Sequence, residues 1–213
     1  MSNLWDIIGA MLIGGILLMV TNNVIEHGAR EFINHNGDAI VQAELSTMTR
    51  IIQSDLRKAG YGIDEADQST IMQHIDAGHF ACLTRPDLEI EVPDTVEYLI
   101  SLSDSFTIID ASIVFYAVDR IVKKAGEDPQ TTRIGNITNT DVFRYLDQSG
   151  RETNIPQAVD IVEVTLISIN RNIYLDNSIL LAVSAIERKK EMKKLAKESY
   201  WRQSRVISRN LRR

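Results

Sequence analysis

The chain is poor in several things that would constrain it early. It holds one cysteine, Cys82, in 213 residues, which excludes an intrachain disulfide framework and leaves the redox compartment open. In "HFACLTRP" that cysteine is expected to be a small buried hydrophobe rather than a reactive thiol. No proline falls between Thr21 and Ala59, so nothing in that stretch interrupts a helix by removing a backbone donor. No Lys or Arg precedes Arg30. The basic n-region of a secretory signal is therefore missing, "LMVTNN" offers no A-x-A pattern, and cleavage of that kind is not expected.

Catalytic motifs are missing too. There is no G-x-S-x-G, H-E-x-x-H, C-x-x-C or Gly-rich phosphate loop, and without them no enzyme chemistry, cofactor or small-molecule substrate is expected. His74 and His79, with Asp76 between them, are the one pair with metal-ligand character. Lacking a third ligand at a suitable spacing, they read as a surface loop. Asp87, Glu89, Glu91 and Asp94 are oxygen donors of the kind calcium takes, yet such acidic runs more often line an exposed edge. No internal repeat of 20 to 50 residues and no low-complexity linker divides the chain.

What is present is unevenly spread. Hydrophobic residues make up 44% and charged residues 24%, proportions that support a folded core. From Arg188 to Arg213 there are eleven basic residues against two acidic; residues 1–187 carry twelve basic against twenty-seven acidic. The body is acidic and the tail basic.

The run from Ile7 to Val20 has no polar side chain; with its flanks, Leu4, Trp5, Val24 and Ile25, it approaches the roughly 20 residues that a spanning helix needs. Gly9, Gly14, Gly15 and the all-round apolarity suit lipid or packed helices better than a one-sided core contact. Further on, Val41, Leu45, Met48, Ile52 and Leu56 step by four, three, four and four, which lines one face of an α-helix for packing against a sheet. Gly28 and Gly37 are expected weak points in such a helix. The natural stop is "RKAGYG", with Arg57 and Lys58 in the last turn and Gly60 as a left-handed cap.

After Gly62 the pattern is mostly strand-like, apart from a short helix expected around Gln68 to Ile75. "SFTIIDASIVFYAVD", "TDVFRYLDQSG" and "AVDIVEVTLISIN" are rich in β-branched and aromatic residues and bounded by turn formers. In the last, Val162, Val164, Leu166 and Ser168 alternate with Ile161, Glu163, Thr165, Ile167 and Ile169, as expected for a sheet with one covered face. "SILLAVSAIE" is open between strand and helix. The expected fold class is α+β, a long N-terminal helix packed on an antiparallel sheet. Its parts are a membrane or filament-core half of the helix (1–25), an amphipathic half (26–59) and a β-rich domain with a basic C-terminal segment (60–213).

A hydrophobic helix running into an amphipathic half, closed by "IIQSDLRKAGYGI" and followed by β structure, resembles the type IV filament superfamily of pilins and pseudopilins. More specifically, Ile52, Asp55, Leu56, Arg57, Ala59, Gly60 and Tyr61 are similar to the "L-x-x-D-L-R-x-A-G-Y" phrase of PilW-like minor pilins and J-type pseudopilins of type II secretion. "VFRYLDQSGRE" and the ending "YWRQSRVISRNLRR" are also similar in kind and order. The resemblance implies a minor structural subunit with other pilin-like subunits as partners, held in the bacterial inner membrane as a single-pass protein and then in an extracellular or periplasmic filament. Assembly would run through Asp6, Ile7, Ile8, Leu12, Ile16 and Leu17.

The basic prepilin leader and the "TLIE" phrase are not visible, which speaks against processing by a prepilin peptidase and leaves a mature form or a leaderless member as readings. If Met1 is removed, Asp6 is fifth from the new N-terminus, where it could pair with a neighbouring subunit's terminal amine. The bland reading places Asp6 at headgroup level beside Trp5.

In the basic tail, Lys189, Lys190, Lys193, Lys194, Arg202 and Arg205, interleaved with Tyr200 and Trp201, are candidate polyanion contacts for nucleic acid or anionic lipid. The competing reading is a solvated helix and a strand whose charge complements the acidic body.

Overall fold

The computed structural model describes residues 2–63, 71–85, 93–108, 111–124, 126–170, 186 and 199–207. One helix, α1, spans Ser2–Lys58, 57 residues, and is about 85 Å long at 1.5 Å per residue. It passes through both expected weak points unbroken. Gly37 is required for a different reason: a Cβ there would lie 2.4 Å from both Nδ2 and Oδ1 of Asn170. The close approach lets Asn170 Nδ2 donate to the Asn34 carbonyl at 3.0 Å and to Asp38 Oδ1 at 2.9 Å.

The helix stops where a residue with positive φ takes over. Gly60 sits at φ 74°, a conformation that only glycine adopts without a Cβ clash. The turn is held against the sheet domain: the Gly60 N–H donates to the Leu83 carbonyl, and the Arg85 N–H to that of Tyr61, both at 2.8 Å.

Five strands form one antiparallel sheet in sequence order: β1 (Met72–Ile75), β2 (His79–Thr84), β3 (Asp94–Ile108), β4 (Ala111–Lys123) and β5 (Gln130–Ile137). Three more, β6 (Phe143–Leu146), β7 (Ile161–Ser168) and β8 (Tyr200–Ile207), form a second. Two expectations change here. Met72–Ile75 is a strand paired with β2 rather than the end of a helix, because Met72 buries on the sheet's inner face; residues 68–70 lie outside the described part. "SFTIIDASIVFYAVD" is a hairpin, with Ile108 paired to Ala111, so it serves two strands. "SILLAVSAIE", apart from Ile186, lies outside the described residues.

Val41, Leu45, Met48, Ile52 and Leu56 are all buried and share one core cluster with residues of both sheets. Each such side chain contributes about 1.5–3 kcal/mol by leaving water. Phe80 anchors the other side of that core: its ring lies 5.5 Å from Phe143 and 6.2 Å from Tyr145, tying the five-stranded sheet to β6. The Asn139 side chain joins the sheets a second time. Its Nδ2 donates to the Thr165 carbonyl and its Oδ1 accepts from the Ile167 N–H, both at 2.9 Å. An amide thus stands in for a strand residue beside β7, and the Thr138 N–H continues the pairing to the Ile167 carbonyl at 2.7 Å.

In β7 the inner face carries Val162, Val164 and Leu166, as alternation requires, but Glu163 on the outer face is also buried. It is flanked in register by Arg144 of β6 and Arg205 of β8, and those guanidinium groups cover it, Arg205 Nε at 2.5 Å and Arg144 at 3.7 Å. The sheet is covered on one face by the core and at this point on the other by paired charge.

Candidate assembly surface

Between Trp5 and Ile33 every described side chain is exposed, with Gly9 and Gly14 half-covered. The helix meets the body from Asn34 and Gly37 onward, so residues 2–33, about 48 Å of helix at 1.5 Å per residue, stand clear of the sheets. Trp5, Ile7, Ile8, Leu12, Ile16 and Leu17 all project outward. Thr21 Oγ1 satisfies itself by donating to the Leu17 carbonyl at 2.8 Å, so it adds little polar demand to this surface. No heavy atom of the surroundings approaches within 4 Å of a Cβ built at Gly9, Gly14 or Gly15, leaving flat places where another helix backbone fits closely. This one helix is long and apolar enough to cross a membrane. The Asp6 side chain lies outside the described part.

A second apolar stripe continues past the run that would fill a bilayer. Ile25, Phe32, Ile33 and Ile40 are each at least half exposed, Phe32 at 73%. At about 100° per residue these four fall within about 100° of one another, on the side away from Val41, Leu45, Met48, Ile52 and Leu56. Sequence reading named the inward stripe and passed over this one, whose signal was the seven-residue spacing of Ile25 and Phe32 and of Ile33 and Ile40.

Below the stripe the helix is clamped by charge. Asp55, the acidic residue of the closing phrase, is buried and receives the Tyr98 hydroxyl at 2.5 Å and Arg120 through Nε at 2.6 Å and Nη2 at 3.1 Å. Tyr98 and Arg120 are direct cross-strand partners on β3 and β4, so one carboxylate addresses two strands. Burial, then the Asp55 charge, pushes the Tyr98 hydroxyl far above its ordinary pKa. The Asp55 hydrogen bond raises that of Arg120. Tyr98 stays a neutral donor and Arg120 a cation.

Other sequence candidates fall elsewhere. Burial pushes the Cys82 thiol up to about 12, which keeps it protonated and unreactive at neutral pH. His74 and His79 belong to strands rather than to a loop, with ring centroids 3.9 Å apart, because the Asp76–Gly78 turn folds β1 onto β2. His79 Nε2 is 2.7 Å from Glu97 Oε1. Among the described residues no group of three His, Cys, Asp or Glu is placed to hold a metal. Asp87, Glu89 and Glu91 lie outside the described residues, as do Lys189, Lys190, Lys193 and Lys194. Arg202 is exposed on β8 beside Trp201, and Arg205 pairs with Glu163 while its side chain stays 67% exposed.

The arrangement, one long apolar-ended helix packed on antiparallel sheet, is pilin-like in general outline. No family model, no curated protein and no solved structure matches the chain.

Proposed function

We propose that the chain is a structural, pilin-like subunit, minor in a type IV pilus or a type II secretion-like filament, held in the bacterial inner membrane and assembled through α1 with other pilin-like subunits. The observation that carries this reading is the stripe of Ile25, Phe32, Ile33 and Ile40. A bilayer core is about 30 Å thick and takes about 20 helical residues, which Ile7 to Ile25 nearly supply. Lipid therefore covers the first part of the helix and leaves Phe32, Ile33 and Ile40 in water. Packing against further helices covers both parts. If Met1 is removed, Asp6 stands fifth from the N-terminus in such a bundle and could pair with a neighbour's terminal amine, which would offset the desolvation of both charges.

The test uses Phe32→Asp and Ile33→Asp in the native host. Membrane recovery should stay as in the wild type, while incorporation into sheared filaments falls and disulfide cross-links between Phe32→Cys subunits disappear on adding Ile33→Asp. Normal incorporation of both Asp variants would remove the stripe from assembly, whereas absence of the wild-type chain from sheared filaments would sink the filament reading. It would favour the alternative, a single-pass membrane protein whose exposed Trp201 and Arg202, with the basic tail, contact nucleic acid or anionic lipid.

A further inference from the structure

The exposed side of α1 carries a seven-residue order. Met11, Leu18, Ile25 and Phe32 recur at that interval and are all exposed. Gly15, Asn22, Ala29 and Asn36 each follow one of them by four residues and are exposed too. Steps of four and three in alternation make the seam of a left-handed coiled coil, with the second set at position a and the first at position d of the heptad. At about 100° per residue the seam lies roughly opposite Val41, Leu45, Met48, Ile52 and Leu56, so the sheet domain leaves it open. Gly15 and Ala29 are small and let another helix approach. Asn22 and Asn36 are the polar members, and each amide is at once a donor and an acceptor. Left unanswered in a covered seam, such a group is costly, most of all at Asn22, close to the lipid. An amide is complementary to itself, and a second copy of this chain presents the same amides at the same heights.

Height is set by the bilayer. Two copies held by the same apolar run, Ile7 to Ile25, lie parallel and level, which brings Asn22 opposite Asn22 and Asn36 opposite Asn36. A stagger of one heptad sets the amides against Gly15 and Ala29 instead. A stagger of two heptads, about 21 Å, matches only Asn22 with Asn36 and draws one apolar run that far out of the lipid. The flanking positions agree with the level register: Gly28 and His35 meet Ile33 and Ile40 of the other copy, and no like charges are opposed. We propose that α1 pairs with α1 of a second copy as a parallel, level coiled coil over residues 11–36, in which the Asn22 and Asn36 amide pairs fix the register. The inference rests on the reading of α1 as the assembly helix and adds to it the partner, the orientation and the residues that set the stagger.

The test reconstitutes the full chain in phosphatidylcholine vesicles and oxidises it, with one added cysteine, Ile25→Cys or Phe32→Cys; Cys82 is buried and stays out of the reaction. Each variant alone reports the level register. The two mixed report a stagger of seven residues, about 10.5 Å, which a disulfide does not span in the level pair; mass separates the mixed dimers from the others. Level dimers should outnumber staggered ones by about tenfold or more. Adding Asn22→Leu and Asn36→Leu, at exposed positions clear of the sheet domain, should keep cross-linking as strong or stronger, while staggered dimers rise to within about twofold of level ones and larger oligomers appear. The inference is overturned if neither cysteine variant cross-links, if the wild-type seam gives staggered dimers as readily as level ones, or if the Leu variants keep the wild-type register and oligomer size. The filament reading fails separately, when the wild-type chain is absent from sheared filaments, whatever the vesicles show.

Discussion

Gly135 of β5 lies so close to Met48 of α1 that a Cβ added to the glycine would meet the methionine Sδ at 2.4 Å and Cε at 2.9 Å. Met48 is fully buried and has little room to retreat. The helix beds onto the sheet at this point because one strand residue has no side chain.

Gly135→Ala should therefore destabilise the fold by about 1–3 kcal/mol, the range for overpacking a dense core. Met48→Ala alone should lose about 2–5 kcal/mol through the cavity it leaves. The added methyl fills part of that cavity, so the double variant should be more stable than the sum of the two predicts. Denaturant midpoints of the four proteins in mild detergent give the coupling; strict additivity would mean the two sites do not touch.

The clamp at Asp55 yields a second expectation. Asp55→Ala orphans the buried Tyr98 hydroxyl and should cost about 1–3 kcal/mol. The loss stays below the roughly 3–5 kcal/mol of a fully buried ion pair, because the Arg120 side chain keeps 28% exposure and can turn to water. Adding Tyr98→Phe to Asp55→Ala should cost little more. A full second penalty in that double variant would show that the hydroxyl is satisfied elsewhere.

Glu97 carries the pH dependence. The hydrogen bond from Lys123 (2.6 Å), opposed by desolvation and helped by the one with His79, holds its pKa below the ordinary carboxylate range. A lowered folded-state value means the stabilisation is fully present above the unfolded value and is lost as pH falls through the folded one. Unfolding midpoints from about pH 7 down to about pH 3 should separate wild type from Glu97→Gln at the top of the range and converge at the bottom. A constant gap between the two would refute the assignment.

For the tail, Lys189, Lys190, Lys193 and Lys194 changed together to Gln should alter assembly while DNA affinity is negligible before and after. Were the tail a nucleic-acid contact, wild-type binding would fall steeply with salt, and the fourfold change would flatten the logarithmic slope by up to about 3.6, at about 0.9 per neutralised phosphate. Filter binding across a salt series in detergent reads the difference. Arg205, held by Glu163, should add nothing to the slope when changed to Gln.

The sequence by itself determined whatever depends on neighbours a few residues away. Apolar spacing places Val41, Leu45, Met48, Ile52 and Leu56 on one face, a proline-free run carries the helix from Ser2 to Lys58, and Gly60 ends it, because these are effects of 3.6-residue periodicity and local φ. Alternation likewise placed Val162, Val164 and Leu166 on one side of β7. Tertiary structure alone decided who answers each polar group. Asp55 finds Tyr98 43 residues away and Arg120 65 away, and Asn170 reaches Asn34 across 136. No spacing rule connects such pairs. For the same reason Gly37 read as a weak point when it is the clearance for Asn170, and no spacing paired Arg205 with Glu163. Hydrogen bonds and close contacts of this kind are set by which strand lies beside which, and that is known only once the chain has folded.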